Sequence, residues 1–238
     1  MDDFLSQTPH RLPTPQRPLL GLTVLVVEDS RFACDALRLL CLRSGARIRR
    51  ADCIASARRH LQVYRPCVAI IDMGLPDGNG ASLISELAVA IPRIDVILAT
   101  SGDTAFEETA RQAGADGFLA KPLDNLATFQ TAILDKLPRD RRPVGPRALF
   151  DETVRPDPVA DHDDLCHAMD TLSGDGRGEA IDYVAGFLSG IALSARDQPL
   201  HKAAETVARG RANGRMLNAD LLRLTQVLKK RLAEPVPV

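Results

Sequence analysis

Short, nearly unbroken apolar runs alternating with amphipathic stretches constrain this chain more than any other feature. Leu22–Val27, Val68–Asp72, Asp95–Thr100 and Gly117–Lys121 each hold four to six residues of strand-forming character, and Ile48–Ala51 is a fifth, more polar run. Between them lie stretches with helical spacing: Ser30 to about Arg43, about 54–63, Ala81 to before Pro92, 104–113 and 124–137. Strands separated by helices of this length must run parallel, because a tight hairpin joins only antiparallel neighbours. Strands this apolar are covered on both faces. Arg49 and Arg50 mark the 48–51 strand as an edge. The expectation is a doubly wound α/β domain over residues 21–138, with a five-stranded parallel sheet.

In such sheets, ligands bind outside the carboxyl ends of the strands. Those ends carry the reactive residues here. Glu28 and Asp29 follow Val24-Leu25-Val26-Val27, Asp72 follows Val68-Ala69-Ile70-Ile71, Thr100 follows Val96-Ile97-Leu98-Ala99, and Lys121 follows Phe118-Leu119-Ala120. One crevice would therefore collect three carboxylates, a hydroxyl and an ammonium. Clustered carboxylates raise one another's pKa unless a cation neutralises them. Mg²⁺ suits such a site, since it takes oxygen ligands and keeps several waters. One carboxylate is then free to act as a nucleophile and form an aspartyl phosphate, while the metal and the lysine stabilise the transferring phosphoryl group.

The segments VLVVEDS (24–30), IIDMGLPDGNG (70–80), ILATSGD (97–103) and AGADGFLAKPL (113–123) resemble the receiver domain of two-component response regulators. The resemblance implies strand order 2-1-3-4-5 and a set of roles. Asp72 would be the phosphoacceptor, supplied by a sensor histidine kinase or a histidine phosphotransfer protein. Asp29 would bind Mg²⁺ directly, Glu28 directly or through water, and the backbone carbonyl of Gly74 would be a further ligand alongside Asp72. Thr100 would bond the phosphate, although Ser101 offers a second hydroxyl. Lys121 would pair with the phosphate, and the bond before Pro122 would be cis, a geometry largely confined to proline. Phe118 stands at the aromatic switch position, with a plain core role as the alternative. Asp77 reads as a turn-former. The chain is thus expected to be a signalling protein that promotes its own phosphorylation and dephosphorylation rather than an enzyme with a substrate. A haloacid-dehalogenase-like phosphatase also uses an Asp nucleophile and Mg²⁺, but wants a second Asp where Gly74 stands.

The remainder is less specific. Residues 1–20 hold four prolines without periodicity and read as a flexible lead-in; Pro138, Pro143, Pro146, Pro156 and Pro158 mark 139–160 as a linker. Residues 161–238 read as an all-α region of four helices. Their apolar stripes are Leu165/Met169/Leu172, Ile181/Val184/Leu188/Ile191, Leu200/Ala203/Ala204/Val207 and Leu217/Leu221/Leu224/Leu228/Leu232. Residues 157–197 hold nine acids against two arginines, and 198–233 hold eight bases against two acids. That division suits a region that packs on itself or on a twin, with solvated faces as the alternative. The expected output is a partner-binding or dimerising bundle controlled by phosphorylation. Two alternatives stand beside it: a DNA-binding transcriptional output using 209–231, and a histidine phosphotransfer module. The latter fits poorly, because His162, His167 and His201 lack its companion residues. A net charge of −1 gives no general argument for nucleic acid or membrane. No apolar run approaches the roughly 18 residues that span a bilayer. The five cysteines, in no Cys-x-x-Cys pair, read as reduced thiols in the cytoplasm.

Overall fold

The computed structural model describes residues 12–144, 151–174 and 178–235. The first part alternates strands and helices: β1 (Thr23–Val27), α1 (Arg31–Ser44), β2 (Arg47–Ala51), α2 (Ile54–Val63), β3 (Val68–Asp72), a two-residue ribbon of β4 (Gly74–Leu75) and β5 (Gly78–Asn79), α3 (Gly80–Val89), β6 (Val96–Ser101), α4 (Phe106–Ala113), β7 (Gly117–Ala120) and α5 (Leu126–Leu134). The main sheet is wholly parallel in the order β2-β1-β3-β6-β7. With the ribbon set aside, this is the expected order 2-1-3-4-5. The Arg-rich strand β2 pairs only with β1 and lies at the edge, where its exposed charges are at home.

Alternation along the strands divides the core into two layers. Val24, Val26, Val68, Ile70, Val96, Leu98 and Leu119 pack with Leu37, Leu40, Phe129 and Ile133 of α1 and α5. Leu25, Val27, Ala69, Ile71, Ile97 and Ala99 pack with residues of α2, α3 and α4. Ser30 caps α1 as its sequence position implies, its Oγ accepting from Ala33 N at 3.0 Å. Gly45 then ends the helix in the left-handed conformation at φ 83°.

Two stretches depart from expectation. The lead-in is pinned rather than flexible over its described part. Leu19 is fully buried in the α1/α5 layer, and its N–H donates to Ser44 O at 2.9 Å. A single leucine with a core to enter outweighs the four-proline composition around it. Residues 1–11 of the same segment lie outside the described residues. Within 139–160, the described residues 151–157 also adhere to the α/β core. Leu126 N donates to Glu152 O and Val154 N to Asp124 O, each at 2.8 Å, and Val154 is only 5% exposed. The prolines there keep regular structure short but do not prevent packing. Pro158 itself opens a helix at its first turn, where no N–H is needed.

Four helices follow: α6 (Pro158–Ser173), α7 (Gly178–Ser194), α8 (Gln198–Ala212) and α9 (Asn218–Leu232). They enclose one core that includes Leu165, Val184, Phe187, Leu188, Ile191, Val207, Leu224 and Leu228. The acidic and basic stretches partly pair across the surface of the bundle. Arg211 holds Asp182 bidentately at 2.8 and 2.7 Å, and Arg231 holds Asp197. The bundle also packs on the α/β part, with α6 and α7 against α1. Among the described residues, no helix is long and apolar enough to cross a membrane.

Candidate functional site

Asp72 ends the central strand β3, and its register partner across the sheet is Thr100 at the end of β6. Residues two apart on a strand share a face, so Asp72 and Thr100 lie on the α1/α5 side with Ile70 and Leu98. The chain continues past β1 through Glu28 and Asp29, and past β7 to Lys121. The four elements thereby bring Glu28, Asp29 and Asp72 together, with one carboxylate oxygen from each within 4.8 Å of the others. Lys121 completes the cluster. Its Nζ stands 2.8 Å from Glu28 Oε2, 3.0 Å from Glu28 Oε1 and 3.1 Å from Asp72 Oδ2. The Lys121–Pro122 bond is cis.

This cluster is buried: Glu28 is 2% exposed, Asp72 6% and Lys121 8%. Burial, reinforced by Asp72, pushes the Glu28 carboxyl well above the usual carboxylate range. Burial also raises Asp29, to about 6, against a hydrogen bond from Tyr183 that acts the other way. Burial disfavours a charged Lys121, but the facing Asp72 and Glu28 outweigh it and hold the ammonium charged. One cation thus faces three carboxylates. Moreover, Glu28 Oε2 makes no aligned hydrogen bond. An all-oxygen, anion-rich cluster, in which a single lysine faces three acidic side chains, fits a hard divalent cation.

The loop after Asp72 is tied down on both sides. A Cβ on Gly80 would lie 2.0 Å from the Asp72 carbonyl oxygen, so α3 can begin this close to the strand only with glycine. Asp77, expected as a turn-former, does more: its carboxylate accepts from Ile54 N at 2.8 Å and Ala55 N at 2.9 Å, capping α2. Gly74 starts the ribbon two residues beyond Asp72 and is exposed.

The hydroxyls are placed differently from each other. Thr100 is fully buried, and its Oγ1 donates to Leu119 O at 2.8 Å rather than to Asp72. Ser101, one residue on, points to the opposite face and its Oγ accepts from Asp103 N at 3.1 Å. Phe118 is partly buried against the α2/α3/α4 layer.

Two residues reach the site from the helical bundle without a site signal of their own in the sequence. Tyr183 of α7 donates its hydroxyl proton to Asp29 Oδ2 at 2.6 Å. Asp164 of α6, 3% exposed, accepts from Ser30 Oγ at 2.8 Å and from the N–H groups of Arg31 and Phe32 at 3.0 Å each. A cavity of about 790 Å³ remains beside them, bordered by Asp29, Arg31, Arg50, His167 and Tyr183. No local motif announces either contact, because the partners are 132 to 154 residues apart.

Residues 24–133 match the response regulator receiver domain family. The chain is 33% identical over 101 residues to the KDP operon transcriptional regulatory protein KdpE of Escherichia coli (strain K12), covering 42% of this chain and 44% of that protein. It is 30% identical over 102 residues to the virulence transcriptional regulatory protein PhoP of Salmonella typhimurium (strain 14028s / SGSC 2262), covering 42% and 46%. The matches thus span about half the length of these curated relatives. Among solved structures, a two-component response regulator from Clostridium difficile aligns at 20% identity and TM-score 0.45, over 50% of this chain and 98% of that one. The four helices from Pro158 onward fall outside the family match, whereas residues 24–133 are a response regulator receiver domain.

Proposed function

We propose that this chain is a phosphorylation-dependent signalling protein that accepts a phosphoryl group on Asp72 from a sensor histidine kinase or a histidine phosphotransfer protein. The observation that carries this reading is the Asp72 carboxylate at a strand end, 3.1 Å from a buried lysine and clustered with two further acids. An Asp72 oxygen attacks the phosphorus of the phosphohistidine; the P–N bond breaks, its electron pair stays on the imidazole nitrogen, and that nitrogen takes up a proton. Glu28, Asp29 and Asp72 would hold Mg²⁺, with the Gly74 carbonyl as a further ligand. The cation would supply charge neutralisation for the transferring group. Lys121, already within reach of Asp72, would follow the phosphoryl oxygens. Thr100 is favoured over Ser101 as the hydroxyl that meets them, because it alone shares the face of Asp72; to do so it gives up its bond to Leu119. Phe118 lies on the far side of the same strand pair, where repacking would carry the change to the α4 side.

The phosphorylated chain would act through its helical bundle, by binding a partner or by pairing with a second copy. A transcriptional output is the second reading, favoured by the names of the relatives KdpE and PhoP. A phosphotransfer role for the bundle ranks below both, since His201 Nδ1 is engaged with Ser189 Oγ at 3.0 Å and His167 packs edge-on against Phe187. The five free thiols suit the cytoplasm, where such kinases deliver phosphate. Incubation with acetyl phosphate and Mg²⁺, read by intact mass, should add one phosphoryl group to the wild-type chain and none to Asp72→Asn. Labelling that persists in the variant overturns the assignment.

A further inference from the structure

The helical bundle lies over the cluster of acids, not beside it. Three contacts define how. Tyr183 of α7 holds Asp29, one of the three clustered carboxylates, through a 2.6 Å bond from its hydroxyl. Its ring stacks on Phe187 with centroids 5.6 Å apart, which fixes the direction of that bond. Two turns further along α7, Gly190 comes so near the site that a Cβ there would lie 3.6 Å from Lys121 Nζ. A Cβ on Gly102, just past Thr100 and Ser101, would meet Leu193 at 2.9 Å and the Gly190 Cα at 3.4 Å. Helix α7 therefore crosses the face by which a phosphodonor would reach Asp72. The third contact is a latch: Asp164 of α6 takes the N-terminus of α1 through three hydrogen bonds, and Asp163 pairs with Arg31 at 2.6 Å.

We infer that the bundle is a lid whose Tyr183 competes with a divalent cation for Asp29, so that loading the acid cluster and docking the bundle oppose each other. The cation rests on the reading of the site given above; the lid rests on the contacts of α6 and α7. A carboxylate oxygen that accepts a short bond from a phenol has to surrender it, or share it, to enter a cation's ligand shell. The coupling is reciprocal by linkage: whatever factor Tyr183 costs the cation, the cation costs the docked bundle. A hydrogen bond to a charged group implies a factor of about ten or more. Asp164 is not a ligand, yet it contributes to the same equilibrium, because it holds the same helices down.

The test uses the full chain and Mn²⁺, with free Mn²⁺ followed by electron paramagnetic resonance. Tyr183→Phe should bind Mn²⁺ roughly tenfold more tightly than wild type, and Asp164→Ala should also bind more tightly although it touches no ligand. Ser30 Oγ still caps α1 in the second variant. In the wild-type chain, Mn²⁺ should speed amide hydrogen exchange in α6 and α7 while slowing it around Glu28 and Asp72. That measurement needs no variant to fold. Unchanged affinity in both variants, no Mn²⁺ binding by any of the three proteins, or Mn²⁺ that protects α7 would each overturn the lid. The phosphoacceptor reading fails separately: an Asp72 that takes no phosphoryl group, alongside intact Mn²⁺ coupling, removes the phosphorylation step and leaves the lid.

Discussion

Replacing Asp29 by Asn should stabilise the cation-free protein at neutral pH, by an amount that grows as pH rises from about 4 to about 6 and is constant above it. In the folded chain the Asp29 carboxyl is raised from 3.8 to about 6, chiefly because it is largely buried and secondarily because Asp72 stands beside it. A group whose folded pKa lies above its unfolded value binds more protons folded than unfolded across that interval. Stability therefore falls as pH rises from about 4 toward 6, and the loss is complete above the folded pKa. The shift from 3.8 to about 6 corresponds to about 3 kcal/mol at pH 7.5. An Asn keeps an oxygen to accept the Tyr183 bond, so the substitution removes the charge and little else. Urea unfolding in EDTA at pH 4, 5.5 and 7.5 measures this. The variant should exceed wild type by up to about 3 kcal/mol at pH 7.5, and the two should converge by pH 4. Added Mg²⁺ should then narrow the gap from the other side, since it stabilises only the chain that binds it. A variant no more stable than wild type at pH 7.5, or a gap that does not close with acid, refutes the argument that burial of this charge costs stability.

Two further outcomes depend on the loop after Asp72. Gly80→Ala places a Cβ against the Asp72 carbonyl oxygen; it should cost about 1–3 kcal/mol, as overpacking does, and slow phosphorylation of Asp72, both read from thermal melts and acetyl phosphate labelling. Asp77→Ala removes the acceptor for Ile54 N and Ala55 N and should cost about 1 kcal/mol, as loss of a helix cap does. Hydrogen exchange should rise in the first turn of α2 and not at its end; a uniform rise would show that Asp77 is not the cap.

Much of the receiver half was legible because its signals are local or periodic. Unbroken apolar runs identified strands covered on both faces, and helix-length connections made them parallel. Ser30 announced the start of α1 by its type and place, and Gly45 its end. Asp77 was legible as a loop residue but not as the cap of α2, because its partners lie 22 and 23 residues earlier. Leu19 and Val154 were hidden by the prolines around them. Composition describes what a segment's backbone cannot do, not whether one of its side chains finds a cavity in a core built by others. The four apolar stripes of the bundle form the helices that their spacing predicts, and nothing in them says where the finished bundle sits.

By itself the sequence determined which reactive side chains gather at the sheet's edge. Apolar runs that each end in a polar residue put Glu28, Asp72, Thr100 and Lys121 along one edge, since parallel strands in register end on one edge of the sheet. Only the tertiary structure decided that this edge is covered. The bond from Tyr183 to Asp29 and the three bonds to Asp164 join residues more than 130 positions apart. Such contacts follow from the shapes and charges of two assembled surfaces, and no spacing along the chain encodes them.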